Sequence, residues 1–219
     1  MVTKRLATLV AAIAVCIAAA VPASASAQDP ILFVHGYVES ASLWNTMIAN
    51  FEKDGYPKSY LSAYSYNTSQ SNKIDAEEVK SKVEALLKNT GATKVDIIAH
   101  SMGSLNSRYY IKNLGGETKV DDWVSLGGPN HGTETANFCF STSCVEMRVG
   151  STFLKELNAT DETPGAVNYG TWWSPCDEII NPDSSVALTG ATNTKTACIS
   201  HTALTTDSTV YTQVREFVK

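Results

Sequence analysis

From Ile31 onward, short apolar runs alternate with longer stretches whose apolar residues recur every three or four positions. ILFV, followed by His35 and Gly36, is the continuous apolar run expected of a strand buried on both faces. Leu43, Trp44, Met47, Ile48 and Phe51 then recur at helical spacing, and Gly55 stops that helix. SYLSAYSY supplies a second strand, and Ala76, Val79, Val83, Leu86 and Leu87 form one face of a second helix that ends at Gly91. KVDIIA is a third strand, with a turn and a helix directly after it in HSMGSLNSRYYIKNLGG. VDDWVSL, AVNYGTWW and TKTACIS are the fourth, fifth and sixth strands, and Val210, Val214, Phe217 and Val218 line a closing helix. Alternating strands and helices predict an α/β fold with a mostly parallel six-stranded sheet flanked by helices. The least legible stretch, Gly127 to Gly165, is rich in Gly, Thr and Asn and holds one expected helix around VEMRVGSTFLKEL.

The start of the chain follows a different rule. Lys4 and Arg5 precede sixteen uncharged, mostly apolar residues from Leu6 to Val21, then Pro22 and ASASA. A basic start, a short apolar run and a small-x-small end make a secretory signal peptide spanning 1–27, cleaved after Ala27. The run is shorter than the about 20 residues a membrane span needs, so no stable membrane insertion is expected. Residues 28–219 then form a single exported domain of 192 residues, and losing Lys4 and Arg5 moves the net charge from −5 to −7. Cys16 leaves with the peptide, so an odd five cysteines become an even four. Four cysteines in a secreted protein suggest two disulfides with three possible pairings. Proximity favours Cys139–Cys144, which leaves Cys176–Cys198.

With 43% hydrophobic and 18% charged residues the chain is neither disordered nor rod-like. Its acidic balance and the absence of any basic cluster set nucleic acid aside as a partner. No HExxH motif and no Asp-rich calcium loop occurs, so no metal and no other cofactor is expected.

Ala99-His100-Ser101-Met102-Gly103 carries the chemistry. It lies between a strand and a helix, the context a nucleophile elbow requires. The tight turn needs small residues two before and two after the Ser, here Ala99 and Gly103, and aims a helix N-terminus at the hydroxyl. A Ser nucleophile needs a base, and the base needs an acid, in the chain order Ser, acid, His. Of the four His, only His201 follows a candidate acid near the C-terminus. That acid is Asp177, with Asp183 its nearest rival and Glu178 expected to point away. His131 comes too early to be the base and reads as a loop residue at the site rim, while His35 and His100 read as supporting hydrogen-bonding residues. The oxyanion donors are expected to be the backbone N–H groups of Met102 and of Tyr37, just past Gly36 in the loop after the first strand.

VHGY, AHSMG, SLGGPNHGT, CDEIINP and CISHTAL, in that order over nearly all of Ile31 to Val218, resemble the small secreted bacterial lipases of the α/β-hydrolase superfamily. The compact Bacillus lipase A type, which also has Ala at the first elbow position, is the nearest likeness. The resemblance implies a minimal α/β-hydrolase that cleaves acylglycerols and other carboxylic esters without a cofactor. It maps Ser101, Asp177 and His201 onto the triad and Tyr37 and Met102 onto the oxyanion donors. The chain departs from that type in its four cysteines and in a longer stretch before Asp177. A lid is not expected, because only Gly127–Gly165 is left for one, though Phe138 and Phe140 in it are conspicuous. The reading is a monomeric secreted serine esterase or lipase. A polyester, cutin-like or phenolic ester hydrolase with the same machinery and a non-catalytic secreted binding protein of the same fold are the alternatives.

Overall fold

In the computed structural model, which describes Met1 and residues 28–218, six strands form one sheet in which every pairing is parallel. They are β1 Ile31–Val34, β2 Leu61–Ala63, β3 Val95–His100, β4 Val120–Leu126, β5 Asn168–Trp173 and β6 Thr192–Lys195, in the order β2-β1-β3-β4-β5-β6. The helices are α1 Asn45–Lys53, α2 Asn72–Thr90, α3 Gly103–Asn113, α4 Thr142–Met147, α5 Thr152–Leu157 and α6 Ser208–Phe217. The leader expected at 1–27 lies outside the described residues apart from Met1. Among the described residues no helix is long and apolar enough to cross a membrane.

Strand alternation with a core on each side explains why β1, ILFV, is apolar throughout. In β1, Leu32 and Val34 face a core shared with Val79 and Val83 of α2 and Ile111 of α3. Ile31 and Phe33 face the opposite core, against Met47 and Phe51 of α1 and Val210 and Val214 of α6. Both edges are weaker: β2 is only half-buried and β6, TNTK, is largely exposed. Local chemistry bounds the helices. Ser71 Oγ accepts from Lys73 N at the start of α2, and Gly91 closes it at φ 75°.

Two expectations are corrected. The sixth strand occupies 192–195 rather than TKTACIS, because Ile199 N donates to the Ser174 side chain at 3.0 Å instead of continuing the ladder. The apolar pattern of ACIS marks a pinned loop. The helix expected across VEMRVGSTFLKEL is two short helices, α4 and α5. The chain breaks at Arg148 to Ser151, where Ser151 Oγ accepts from Leu154 N at 3.1 Å and caps α5.

Candidate active site

The carboxyl ends of β1, β3, β4 and β5 open onto one side of the sheet, where parallel sheets place their sites. β3 lies centrally, paired with β1 and β4, and runs straight into the elbow. Ser101 there has φ 52°, a left-handed backbone rare for a residue with a side chain. The strain is held from both sides: Ser101 N donates to Leu126 O at 2.9 Å, and Ser104 N donates to Ser101 O at 3.0 Å. A Cβ at position 103 would lie 2.5 Å from Val34 O and 2.6 Å from His35 O, so only glycine lets α3 start this close to β1.

Asp177 follows β5 and His201 follows the loop after β6. His201 Nδ1 donates to Asp177 Oδ2 at 2.8 Å, with both side chains almost wholly buried. The other carboxylate oxygen, Oδ1, accepts from the N–H groups of Ile179 and Ile180, each at 2.9 Å. Burial pushes the Asp177 carboxyl up, but His201 and these two N–H groups outweigh it and leave its pKa below the ordinary carboxylate value. Burial dominates at His201 and lowers its pKa despite Asp177, so the imidazole is neutral at pH 7. His201 Nε2 is buried without a hydrogen-bond partner among the described residues. With Nδ1 protonated toward Asp177, that nitrogen is the free base of the pair.

Two carboxylates have roles the sequence did not reveal. Glu39 Oε2 accepts from Gly36 N at 2.7 Å and contacts His100 Nδ1 at 2.9 Å, while His100 Nε2 donates to His201 O at 3.2 Å. This buried chain joins the loop after β1 to the loop bearing His201. Burial raises the Glu39 carboxyl, and His100 and the Gly36 N–H overcome that, so its pKa is lowered. A Glu three residues past a glycine carries no periodicity or motif that could have flagged it. Glu178, expected to point away, turns back instead: its Oε2 accepts from His201 N at 3.0 Å, fixing the backbone of that loop. The cysteines pair as Cys139–Cys144 and Cys176–Cys198, with Cα atoms 5.7 and 4.9 Å apart. Ser174, fully buried, ties the same two loops, accepting from Cys176 N at 3.1 Å and donating to Ile199 O at 2.5 Å.

The other candidates sit apart from the Asp177–His201 pair. Asp183 opens a 3-10 turn over 183–186. His131 is exposed, with Nε2 2.7 Å from Glu162 Oε1. His35 donates from Nδ1 to Gly36 O at 2.9 Å and stacks on Tyr66. Ser101 and His201 line one open cavity of about 390 Å³, with Tyr37, Ala136, Met147 and Ile180 among its walls. Its size and apolar walls suit an aliphatic or small aromatic ligand. Met102, at the N-cap of α3, and Tyr37, after β1, flank Ser101. Among the described residues, no group of three or more His, Cys, Asp or Glu is placed to hold a metal.

The family model described as Lipase (class 2) matches residues 28–217. A triacylglycerol lipase of Pseudarthrobacter phenanthrenivorans is 26% identical over 120 residues, which is 52% of this chain and 37% of that protein. One from Pseudomonas fragi is 28% identical over 139 residues, 63% of this chain and 46% of that protein. The chain therefore spans less than half the length of these curated relatives. In structure it is similar to the mature form of the Bacillus licheniformis lipase BlEst2, with a TM-score of 0.78 at 18% identity, covering 91% of this chain and 95% of that one.

Proposed function

The chain belongs to the class 2 lipase family, and from that premise we propose that it hydrolyses carboxylic esters of acylglycerols through an acyl-enzyme on Ser101. The observation that carries the reading is the buried Asp177–His201 pair, whose unpartnered Nε2 shares one cavity with a Ser held at φ 52°.

In this mechanism His201 Nε2 takes the Ser101 proton as Oγ attacks the ester carbonyl carbon. The carbonyl electrons move to oxygen, and the N–H groups of Tyr37 and Met102 stabilise that charge, Met102 aided by the helix N-terminus it caps. The tetrahedral adduct collapses, His201 hands its proton to the leaving alcohol, and the acyl group stays on Ser101. Water then attacks the acyl carbon with His201 again as base, releasing the acid and restoring the Ser hydroxyl. Asp177 stays ionised throughout and holds the proton on Nδ1. No step calls for a metal or other cofactor.

Export supports this reading and is part of it: a leader removed after Ala27, one domain from residue 28, and two disulfides suited to an oxidising exterior. A non-catalytic binding protein would have no need of a strained Ser beside an acid-held base, which favours the enzyme. The test is covalent labelling of the mature protein with a fluorophosphonate, followed by peptide mapping. Label on Ser101, absent from Ser101→Ala, is expected; a folded native protein that stays unlabelled would overturn the assignment.

A further inference from the structure

Phe138 and Phe140 are 86% and 83% exposed, on either side of a half-cystine at the mouth of the cavity. Single exposed apolar residues are ordinary, but Phe138 lines the entrance to an apolar cavity and a second bare ring, Phe140, follows two residues on. Val38 and Ile179, at the same cavity mouth, are also exposed.

The base of this loop is as fixed as its tip is bare. Cys144 is fully buried, and Ala136 and Met147 pack with it against Met102, Leu105 and Leu154. The Arg148 guanidinium donates to Ala136 O at 3.1 Å and to Cys139 O at 3.0 Å, and lies 5.8 Å from the Phe140 ring. Ser143 Oγ donates to Thr68 O at 2.6 Å and Ser141 Oγ to Tyr37 OH at 3.3 Å. The disulfide closes the loop over five residues of sequence separation. Hydrogen bonds, core packing and a covalent link thus hold the rings outward, so little conformational freedom remains to be lost when they meet a partner.

We propose that the loop closed by Cys139–Cys144 is a braced anchor that seats Phe138 and Phe140 in the surface of an aggregated, uncharged ester substrate; this deepens, and rests on, the ester-hydrolase reading. Charge selects the partner. From Thr133 to Val149 the segment carries Glu134 and Glu146 against Arg148, and Arg148 is engaged with backbone carbonyls. An anionic bilayer gains nothing from such a face, whereas a neutral ester phase takes up bare rings. Phe138 lines the cavity mouth, so the phase that receives the rings also supplies the molecule that enters. A fixed anchor raises residence at the surface without any cover having to open.

The test uses the mature protein carrying Ser101→Ala, so that binding is read without turnover, and triolein droplets that are floated and assayed for bound protein. Phe138→Ser and Phe140→Ser should each weaken retention roughly tenfold, as expected for moving a phenyl ring between water and oil. Cys139→Ser/Cys144→Ser should weaken it less, with the rings present but loosened. With Ser101 restored, Phe140→Ser should keep kcat/KM on a dissolved acetate ester within about twofold while losing rate on the emulsion. Parent protein that ignores the droplets, a Phe138→Ser/Phe140→Ser variant held as tightly as the parent, or a lipid-free dimer that both substitutions disperse would each overturn the anchor. Turnover of dissolved ester without droplet binding would remove the anchor and leave the hydrolase. Droplet binding by protein with Ser101 intact that fluorophosphonate does not label would do the reverse.

Discussion

His201 is the residue on which the proposed chemistry turns, and its surroundings set the pH at which it works. Burial outweighs the pull of Asp177, so its pKa lies below the ordinary histidine value of about 6.5. Protonation fills Nε2 and removes the base, so kcat/KM is lost as pH falls through that lowered pKa and is fully developed by neutrality. A kcat/KM profile from pH 4.5 to 8 should show its acid limb centred below about 6.5. Asp177→Asn lets the imidazole settle in the wrong tautomer, and kcat should drop by roughly 10⁴-fold with the fold retained. Glu39 acts at one remove. Glu39→Gln can still accept from Gly36 N, but it loses the charge facing His100 and with it the tie to His201 O. Steady-state assays should show kcat reduced by on the order of tenfold and KM nearly unchanged. A boronate that mimics the oxyanion adduct should bind the variant more weakly by a similar factor. A shift confined to KM would count against the positioning role.

At the scale of elements, the elbow was legible because its constraints are local. Strand, Ala99, Ser101, Gly103 and helix each carry a sequence signal, whereas the close approach of Val34 O and His35 O that also demands glycine at 103 comes from β1 and is seen only in the fold. The junction of the Asp177 and His201 loops was only half legible. The even cysteine count and the proximity of Cys139 to Cys144 leave Cys176 to bridge Cys198 beside the acid and the base, and the bridge is there. Ser174 sits beside it as a second tie that no motif announces. Cys176→Ser/Cys198→Ser removes a loop closure worth about 3 kcal/mol in the chain-entropy model, so the melting temperature should fall. Because the Ser174 bonds persist, kcat at a temperature where circular dichroism is native should fall by only about tenfold, short of the 10²-fold that a 1 Å displacement can cost. Adding Ser174→Ala should deepen the loss of kcat.

Across the whole molecule, several carboxyls buried by folding bear on stability as well as on activity. Asp75, in the first turn of α2, is fully buried, and burial raises its pKa to about 7 even though Gln70 donates to it at 2.7 Å. A carboxyl raised in the folded state stabilises that state below its unfolded value, and the contribution is lost as pH rises through about 7. Asp75→Asn keeps the acceptor for Gln70 without the charge. Its melting temperature relative to the parent should therefore improve more at pH 8 than at pH 5, as calorimetry at the two values would reveal. What the sequence determined by itself was whatever depends on neighbours along the chain. The two-faced apolar run of β1 and the glycine and small residue around Ser101 belong to that class. The tertiary structure decided what depends on groups meeting across space. Glu39 reaches His100 over a sequence separation of 61, Glu178 turns back onto His201 N, and the end of β6 is set by Ser174 rather than by the apolar ACI that follows. Hydrogen bonds between distant loops leave no period in the sequence, because their partners are chosen by where the sheet delivers each strand end.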